Sequence, residues 1–328
     1  MLFDGLGDRR RMTYRLSGVD IKHLHVFRAV VECRGFSNAQ SVLNVGQSTI
    51  SNQISQLEDR LGFRLCERGR IGFRLTPKGE KVYEELLRLF KAHEGFQNAT
   101  SELKGRLSGF LNIALIDNVV SDPVCPIVGA LNRFNRRDHD VTLQIEIMTP
   151  GKIELAVLEA DMDLAVGTFD HQLPGLQYKK IYVESNQLLC GVDHPLFGVD
   201  DPDQIRELVT ASRKVTRSYL DRRDIFSLGG GHAAKIAMVQ HLEAAAILIL
   251  AGGHIGFLPE HYAQTWVRHT EMKPILPAEY RYTSDFYILT RRSRRKSLIM
   301  KSFLEDLDAT LKDPHPGLHV VTDGAMSL

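Results

Sequence analysis

The chain is poor in cysteine, has a single tryptophan and lacks any long apolar run, and each shortage removes a class of protein. Its four cysteines, Cys33, Cys66, Cys125 and Cys190, stand at gaps of 33, 59 and 65 residues. Neither a zinc ribbon nor a vicinal redox pair has such spacing, so reduced and mostly buried thiols are predicted. The longest apolar stretch, Ala244 to Ala251, is eight residues, against the ~20 that cross a bilayer. Arg9 to Arg11 are followed by no apolar segment, so a secretory signal is not predicted and the protein is expected in the cytoplasm. Enzyme signatures are missing too. There is no G-x-S-x-G elbow, no G-x-x-x-x-G-K-[ST] phosphate loop and no H-E-x-x-H zinc helix. Of the 13 histidines, His23 with His25 and His315 with His319 have no further ligands at a suitable spacing, so no metal and no cofactor is expected.

What is present is an ordinary globular composition, 43% hydrophobic and 25% charged over 328 residues, enough for about two domains. The net charge of +1 conceals an asymmetry: residues 1 to 81 hold 14 Lys and Arg against 8 Asp and Glu, and the remainder is acidic. A basic N-terminal part points to nucleic acid.

Residues 1 to 19 show no periodicity and read as a flexible extension. From Asp20, Ile21, Leu24, Phe27 and Val31 share a helical face that Gly35 ends. Ser37 then reads as an N-cap, with Gln40 completing a capping box for a short second helix. After a tight turn at Asn44 to Gly46, the third helix carries Ile50, Ile54, Leu57 and Leu61 in one stripe facing a core. Its opposite side is Ser48, Ser51, Asn52 and Ser55, flanked by Thr49 and Gln53: short, polar and uncharged, which suits base edges in a major groove as well as it suits solvent. Residues 63 to 75, FRLCERGRIGFRL, read as a β-hairpin with Arg64, Arg68, Arg70 and Arg74 placed for phosphate or minor-groove contacts. Thr76 and Pro77 start a long helix in which Val82, Leu86, Leu89, His93, Phe96, Thr100 and Leu103 recur at the coiled-coil period, so the helix is expected to dimerise.

Beyond Gly109 the pattern becomes βαβαβ, a parallel sheet: strands at 110–116, 141–148 and 162–167, helices at 123–137 and 152–159. Strands at 176–183 and 186–192, helices at 203–208 and 238–250, strands at 254–258 and 285–290, and a helix at 296–311 complete the reading. Residues 313 to 328 read as a frayed tail.

These segments resemble the LysR-type transcriptional regulators. The resemblance rests on residues 29 to 68 (AVVECRGFSNAQSVLNVGQSTISNQISQLEDRLGFRLCER) and on FRLTPKGE at 73 to 80. LEAAAILILAGGHIGFLPEHYA and ILTRRSRRKSLIMKSFL support it further along. It implies an α/β protein with an N-terminal winged helix-turn-helix at 20–76 and a linker helix at 77–107. A two-lobed effector domain similar to periplasmic solute-binding proteins follows, one lobe at 108–184 plus 281–312 and the other at 185–280. It also implies a partner set: double-stranded DNA at a promoter inverted repeat, a small-molecule effector, a second copy through the linker helix, a homotetramer, and contact with RNA polymerase. The DNA-reading residues it implies are Gln47, Ser48, Thr49, Ser51, Asn52 and Gln53, with wing contacts from Arg68 and Arg70. Gly46 departs from the family's usual Ser or Thr and caps more weakly, and Ser48 stands where a proline is common.

Ligands of open α/β sheets sit outside the carboxyl ends of strands. That rule selects Ile116, Asp117, Asn118, Thr149, Pro150, Gly167 and Thr168, faced by Thr216, Arg217, Ser218 and Tyr219 just before a helix. Asp117 would repel an anion. It pairs with Arg217, or meets a cationic or hydroxyl-rich ligand, or caps a helix. The competing reading of the whole chain is an α/β solute-binding or enzymatic protein with an N-terminal assembly module.

Overall fold

The computed structural model describes residues 17–69, 72–219, 228, 236–292 and 296–313. The chain divides into two compact units, 1–96 and 97–328.

In the first unit α1 (Gly18–Glu32), α2 (Phe36–Leu43) and α3 (Gln47–Leu61) precede a hairpin of β1 (Cys66–Gly69) and β2 (Gly72–Leu75), and α4 begins at Pro77 and ends at Leu103. The last residues of the extension expected over 1–19 belong to α1: Ser17 caps it in a capping box with Asp20, and Arg60 of α3 reaches Asp20 Oδ2 at 2.9 Å. Residues 1–16 lie outside the described residues. The predicted Ser37 cap is also corrected. Gly35, at φ 153°, is the N-cap of α2, and its carbonyl already accepts the Ala39 amide at 3.2 Å, so Ser37 lies inside the first turn. Leu24, Phe27, Val30, Ile50, Ile54, Leu57, Leu65 and Leu86 form one core in which apolar stripes of α1, α3 and α4 meet. Thr76 caps α4 as predicted, its Oγ1 accepting the Gly79 amide at 2.9 Å.

The second unit is built on one nine-stranded sheet, ordered β4-β3-β5-β11-β6-β9-β7-β8 with β10 on β6. Its strands are β3 (Ser108–Leu115), β4 (Asp140–Ile147), β5 (Leu164–Thr168), β6 (Leu176–Gly191), β7 (Lys214–Arg217), β8 (Ile236–Val239), β9 (Ile255–Pro259), β10 (Met272–Pro274) and β11 (Arg281–Arg291). Its helices are α5 (Ile127–Asn135), α6 (Pro150–Leu158), α7 (Pro202–Ala211), α8 (Leu242–Leu250), α9 (Glu260–Arg268) and α10 (Leu298–Lys312). The parallel β4-β3-β5 set is as read from the sequence. The two strands expected at 176–183 and 186–192 are one 16-residue strand, bulged where Phe286/Tyr287 of β11 pair with Tyr182 and Lys180. The helix expected from Met238 starts at Leu242, because 236–239 pair with β7 instead. The helix expected after Tyr219 lies outside the described residues, as does the tail beyond Asp313.

Burial follows the strand period. Leu188 and Cys190 enter one core with Phe257 and Ile205, while Leu189 enters another with Val215, Leu258 and Ile249. A third core lies under β3 and β5, where Ile113, Leu164, Phe134, Phe286, Phe303 and Leu307 pack together.

Candidate functional sites

α3 lacks a side-chain cap of its own because Gly46 precedes it. Gln40 supplies one from the neighbouring helix: its Oε1 accepts the Gln47 amide at 3.1 Å, and Ser37 Oγ donates to Gln47 Oε1 at 3.4 Å. The residues the sequence assigned to a capping box therefore hold the start of α3. Gln47, Ser48, Thr49 and Asn52 are exposed on that helix, Ser51 is half-buried, and Gln53 is half-buried with Oε1 turned away from solvent. Gly62, at φ 77°, ends the helix, and Glu58 Oε1 accepts the Leu65 and Cys66 amides at 2.7 and 3.1 Å, fixing the exit into the hairpin. Phe73 meets Phe36 edge-on at 5.9 Å and ties β2 to α2. Arg64 and Arg74 are exposed. The side chains of Arg68 and Arg70 lie outside the described residues. A side chain at Gly79 would overlap the Leu65 carbonyl, so α4 starts directly against the hairpin. Leu24, Leu61, Val82, Leu86 and Leu89 line an apolar groove of about 320 Å³ beside Lys81 and Glu85.

In the second unit Ile116, at the end of β3, is buried next to Gly167 of β5. Asp117 neither pairs with Arg217 nor stands free. Its Oδ2 accepts the Leu242 amide at 2.6 Å, capping α8, with His241 Nδ1 at 3.7 Å. This places a carboxylate at the positive end of a helix dipole. Arg217 is buried at 4% exposure. Its Nη1 donates to Tyr219 Oη at 3.1 Å, its guanidinium lies 5.4 Å from that ring's centre, and the Tyr282 hydroxyl faces it as well. Burial opposes the Arg217 charge, yet Tyr282, Tyr219 and Glu184 outweigh it and raise its pKa. Burial pushes the Tyr219 phenol up to about 12, with Arg217 opposing and Asp117 adding to the rise. Tyr219 also packs against the core under β3 and β5. Thr149 precedes α6 without a side-chain cap bond, Pro150 and Thr216 are buried, and Asn118 takes a left-handed turn at φ 63°. Thr168 is half-buried at the end of β5. Ser218 is exposed, its amide donating to Val239 O at 2.7 Å.

Residues 21–80 match the family model of bacterial regulatory helix-turn-helix proteins of the lysR family, and residues 104–312 match the LysR substrate binding domain. The chain belongs to the LysR family of transcriptional regulators. The HTH-type transcriptional activator BauR of Pseudomonas aeruginosa is 38% identical over 293 residues, covering 89% of this chain and 95% of BauR. BenM of Acinetobacter baylyi is 25% identical over 86% of this chain and 93% of its own length. The solved structure of full-length CbnR complexed with its target DNA shares the fold at a TM-score of 0.65 and 19% identity, covering 89% of this chain and all of that one.

The regulator is thus a DNA-binding protein with an effector-binding domain, and its activity is control of transcription rather than catalysis. Among the described residues, no helix is long and apolar enough to cross a membrane. Several residues that shape its sites were not legible in the sequence. Gln40 lies in α2 as expected but caps α3 instead of its own helix, and the carboxylate of Glu184, which helps hold the Arg217 charge, lies where the sequence shows a gap between two strands.

Proposed function

We propose that this regulator reads promoter DNA with α3 and senses a small molecule bearing a carboxylate, or a comparable anion, at Arg217. Gln47, Ser48, Thr49, Ser51, Asn52 and Gln53 face the bases in this reading, and Arg68 and Arg70 the phosphates. The effector would lie among Ile116, Asp117, Asn118, Thr149, Pro150, Gly167 and Thr168 on one side and Thr216, Arg217, Ser218 and Tyr219 on the other. The observation that carries the effector class is the buried guanidinium, which faces the hydroxyls of Tyr219 and Tyr282 and has no ion-pair partner among the described residues. A carboxylate is the natural acceptor for such a donor. Asp117 does not stand against this, since its Oδ2 is engaged at the α8 N-terminus.

The working segments follow from the same reading: a DNA-binding domain at 20–76, a linker helix at 77–107, one lobe at 108–184 plus 281–312 and the other at 185–280. The apolar groove on α1 and α4 supports dimerisation through the linker, two such dimers making a tetramer; light scattering on the intact chain reads either step. A two-fold assembly suits an inverted repeat. In this reading the protein acts in the cytoplasm, where its DNA target and RNA polymerase are at hand; fractionation of the expressing cell checks this.

Calorimetric or thermal-shift screening of the intact regulator against small organic acids and uncharged analogues of the same shape tests the effector class. Binding of acids alone, lost in Arg217→Ala, supports it. Equal binding of the uncharged analogues overturns it.

A further inference from the structure

Asp122, Glu184 and His261 come together from the loop after the short 3-10 turn at Val119–Ser121, from the middle of β6 and from the first turn of α9. His261 Nε2 lies 3.1 Å from Glu184 Oε1 and 3.6 Å from Asp122 Oδ2, and all three ligand atoms lie within 4.8 Å of one another. The side chains are 10%, 7% and 4% exposed for His261, Glu184 and Asp122. Asp122 Oδ1 accepts the Val124 amide at 3.0 Å, but Oδ2 has no hydrogen-bond partner among the described residues. Two carboxylates facing each other away from water are costly unless a positive charge joins them.

Two positive groups are at hand. Arg217 is near enough for Glu184 to favour its charge, yet its Nη1 is turned to Tyr219. His261 is closer, with Nε2 facing both carboxylates. Ser121 Oγ donates to Asn118 O at 3.1 Å and lies 3.0 Å from His261 Nδ1, so its oxygen is placed to accept from Nδ1–H. An imidazole with one nitrogen towards carboxylates and the other donating outward is the way a metal-bound histidine is held. The N···O separations of 3.1 and 3.6 Å bracket the edge of roughly 3.3 Å of a tetrahedron with bonds of about 2.0 to 2.1 Å.

We propose that His261 Nε2 and one oxygen each from Asp122 and Glu184 bind a divalent transition-metal cation of the zinc class, with the fourth position open. One nitrogen and two oxygens fit zinc, whereas calcium and magnesium demand a larger, all-oxygen set. Asn186 Nδ2 donates to Glu184 Oε2 at 3.3 Å and orients that carboxylate, as Ser121 orients the imidazole. The ligand atoms that lie within 4.8 Å of one another come from Asp122, Glu184 and His261. The site would link a loop over the core under β3 and β5 to a helix on the opposite part of the sheet, whatever the effector is.

The test is a cobalt(II) titration of full-length regulator stripped with a chelator. One equivalent should give the visible absorption of tetrahedral cobalt, and zinc should displace it. His261→Ala and Asp122→Asn should both abolish the band; the second keeps the oxygen that accepts the Val124 amide, so its fold can be verified by circular dichroism. Ser121→Ala should weaken binding roughly 10- to 100-fold. No band at one equivalent, a band that survives in both variants, or a His261 ring that nuclear magnetic resonance shows doubly protonated in zinc-saturated protein at neutral pH each overturns the proposal, the last by establishing a buried imidazolium instead.

Discussion

Gln40 Oε1 accepts the first amide of α3, where Gly46 has no side chain to offer. Gln40→Ala should therefore cost about 1 kcal/mol, the usual worth of an N-cap, read as a lower urea midpoint for the DNA-binding unit. A change of only a few tenths would show that Gly46 suffices alone. A second residue governs behaviour in acid. His194 is buried, its Nδ1 accepts the Leu196 amide at 3.1 Å, and burial, with His254 adding, lowers its pKa. The unfolded chain then takes up the proton first, near pH 6.5, so the contribution of neutral His194 is complete above that pH and is lost as the pH falls through it towards the folded value. His194→Asn keeps an acceptor for Leu196 and should flatten the fall in melting temperature between pH 7 and 5. An unchanged slope would assign it elsewhere. At this scale the sequence stopped at a choice. Three roles were open for Asp117, and the one adopted depends on the Leu242 amide, 125 residues away, which local pattern cannot bring near.

Local order explains which elements could be read. The stripe of Ile50, Ile54 and Leu57 repeats within α3 itself, and all three are fully buried. β6 is different. The polar pair Glu184 and Ser185 looks like a break, but Glu184 and the adjacent Asn186 are buried there by tertiary contacts that include His261 and Ser284. β7, with four residues, is too short to carry a period. The exposed polar face of α3 also supports a division of labour between helix and hairpin. Asn52→Ala should relax sequence preference while leaving non-specific affinity in place, whereas Arg68→Ala should weaken all sequences and reduce the slope of log K against log salt by about one. Binding to matched and scrambled duplexes at several salt concentrations separates the two. Identical losses for both variants everywhere would remove the distinction.

Over the whole molecule, an effector bound only by the folded state adds about 2.7 kcal/mol at a concentration ~100 times its Kd. For a unit of this size that raises the melting temperature by roughly 5 to 10 °C, and Arg217→Ala should erase the rise. A rise that survives would place the ligand away from Arg217.

The long pairing of β6 with β11 also has a bearing on how the protein is made. The core under β3 and β5 takes Phe286, Ile288 and Leu289 from β11 and Ile299, Phe303 and Leu307 from α10. A ribosome that has finished β3, β4 and β5 has therefore made a sheet with one side of its interior absent, and the missing wall comes from residues 286 to 307. The effector-binding unit completes its interior only after those residues have emerged, and through contacts distant in sequence, which makes it slow to fold. A nascent chain halted before residue 281 should be a substrate for chaperones, while the DNA-binding unit, whose core draws only on residues 21 to 90, has already folded ahead of it.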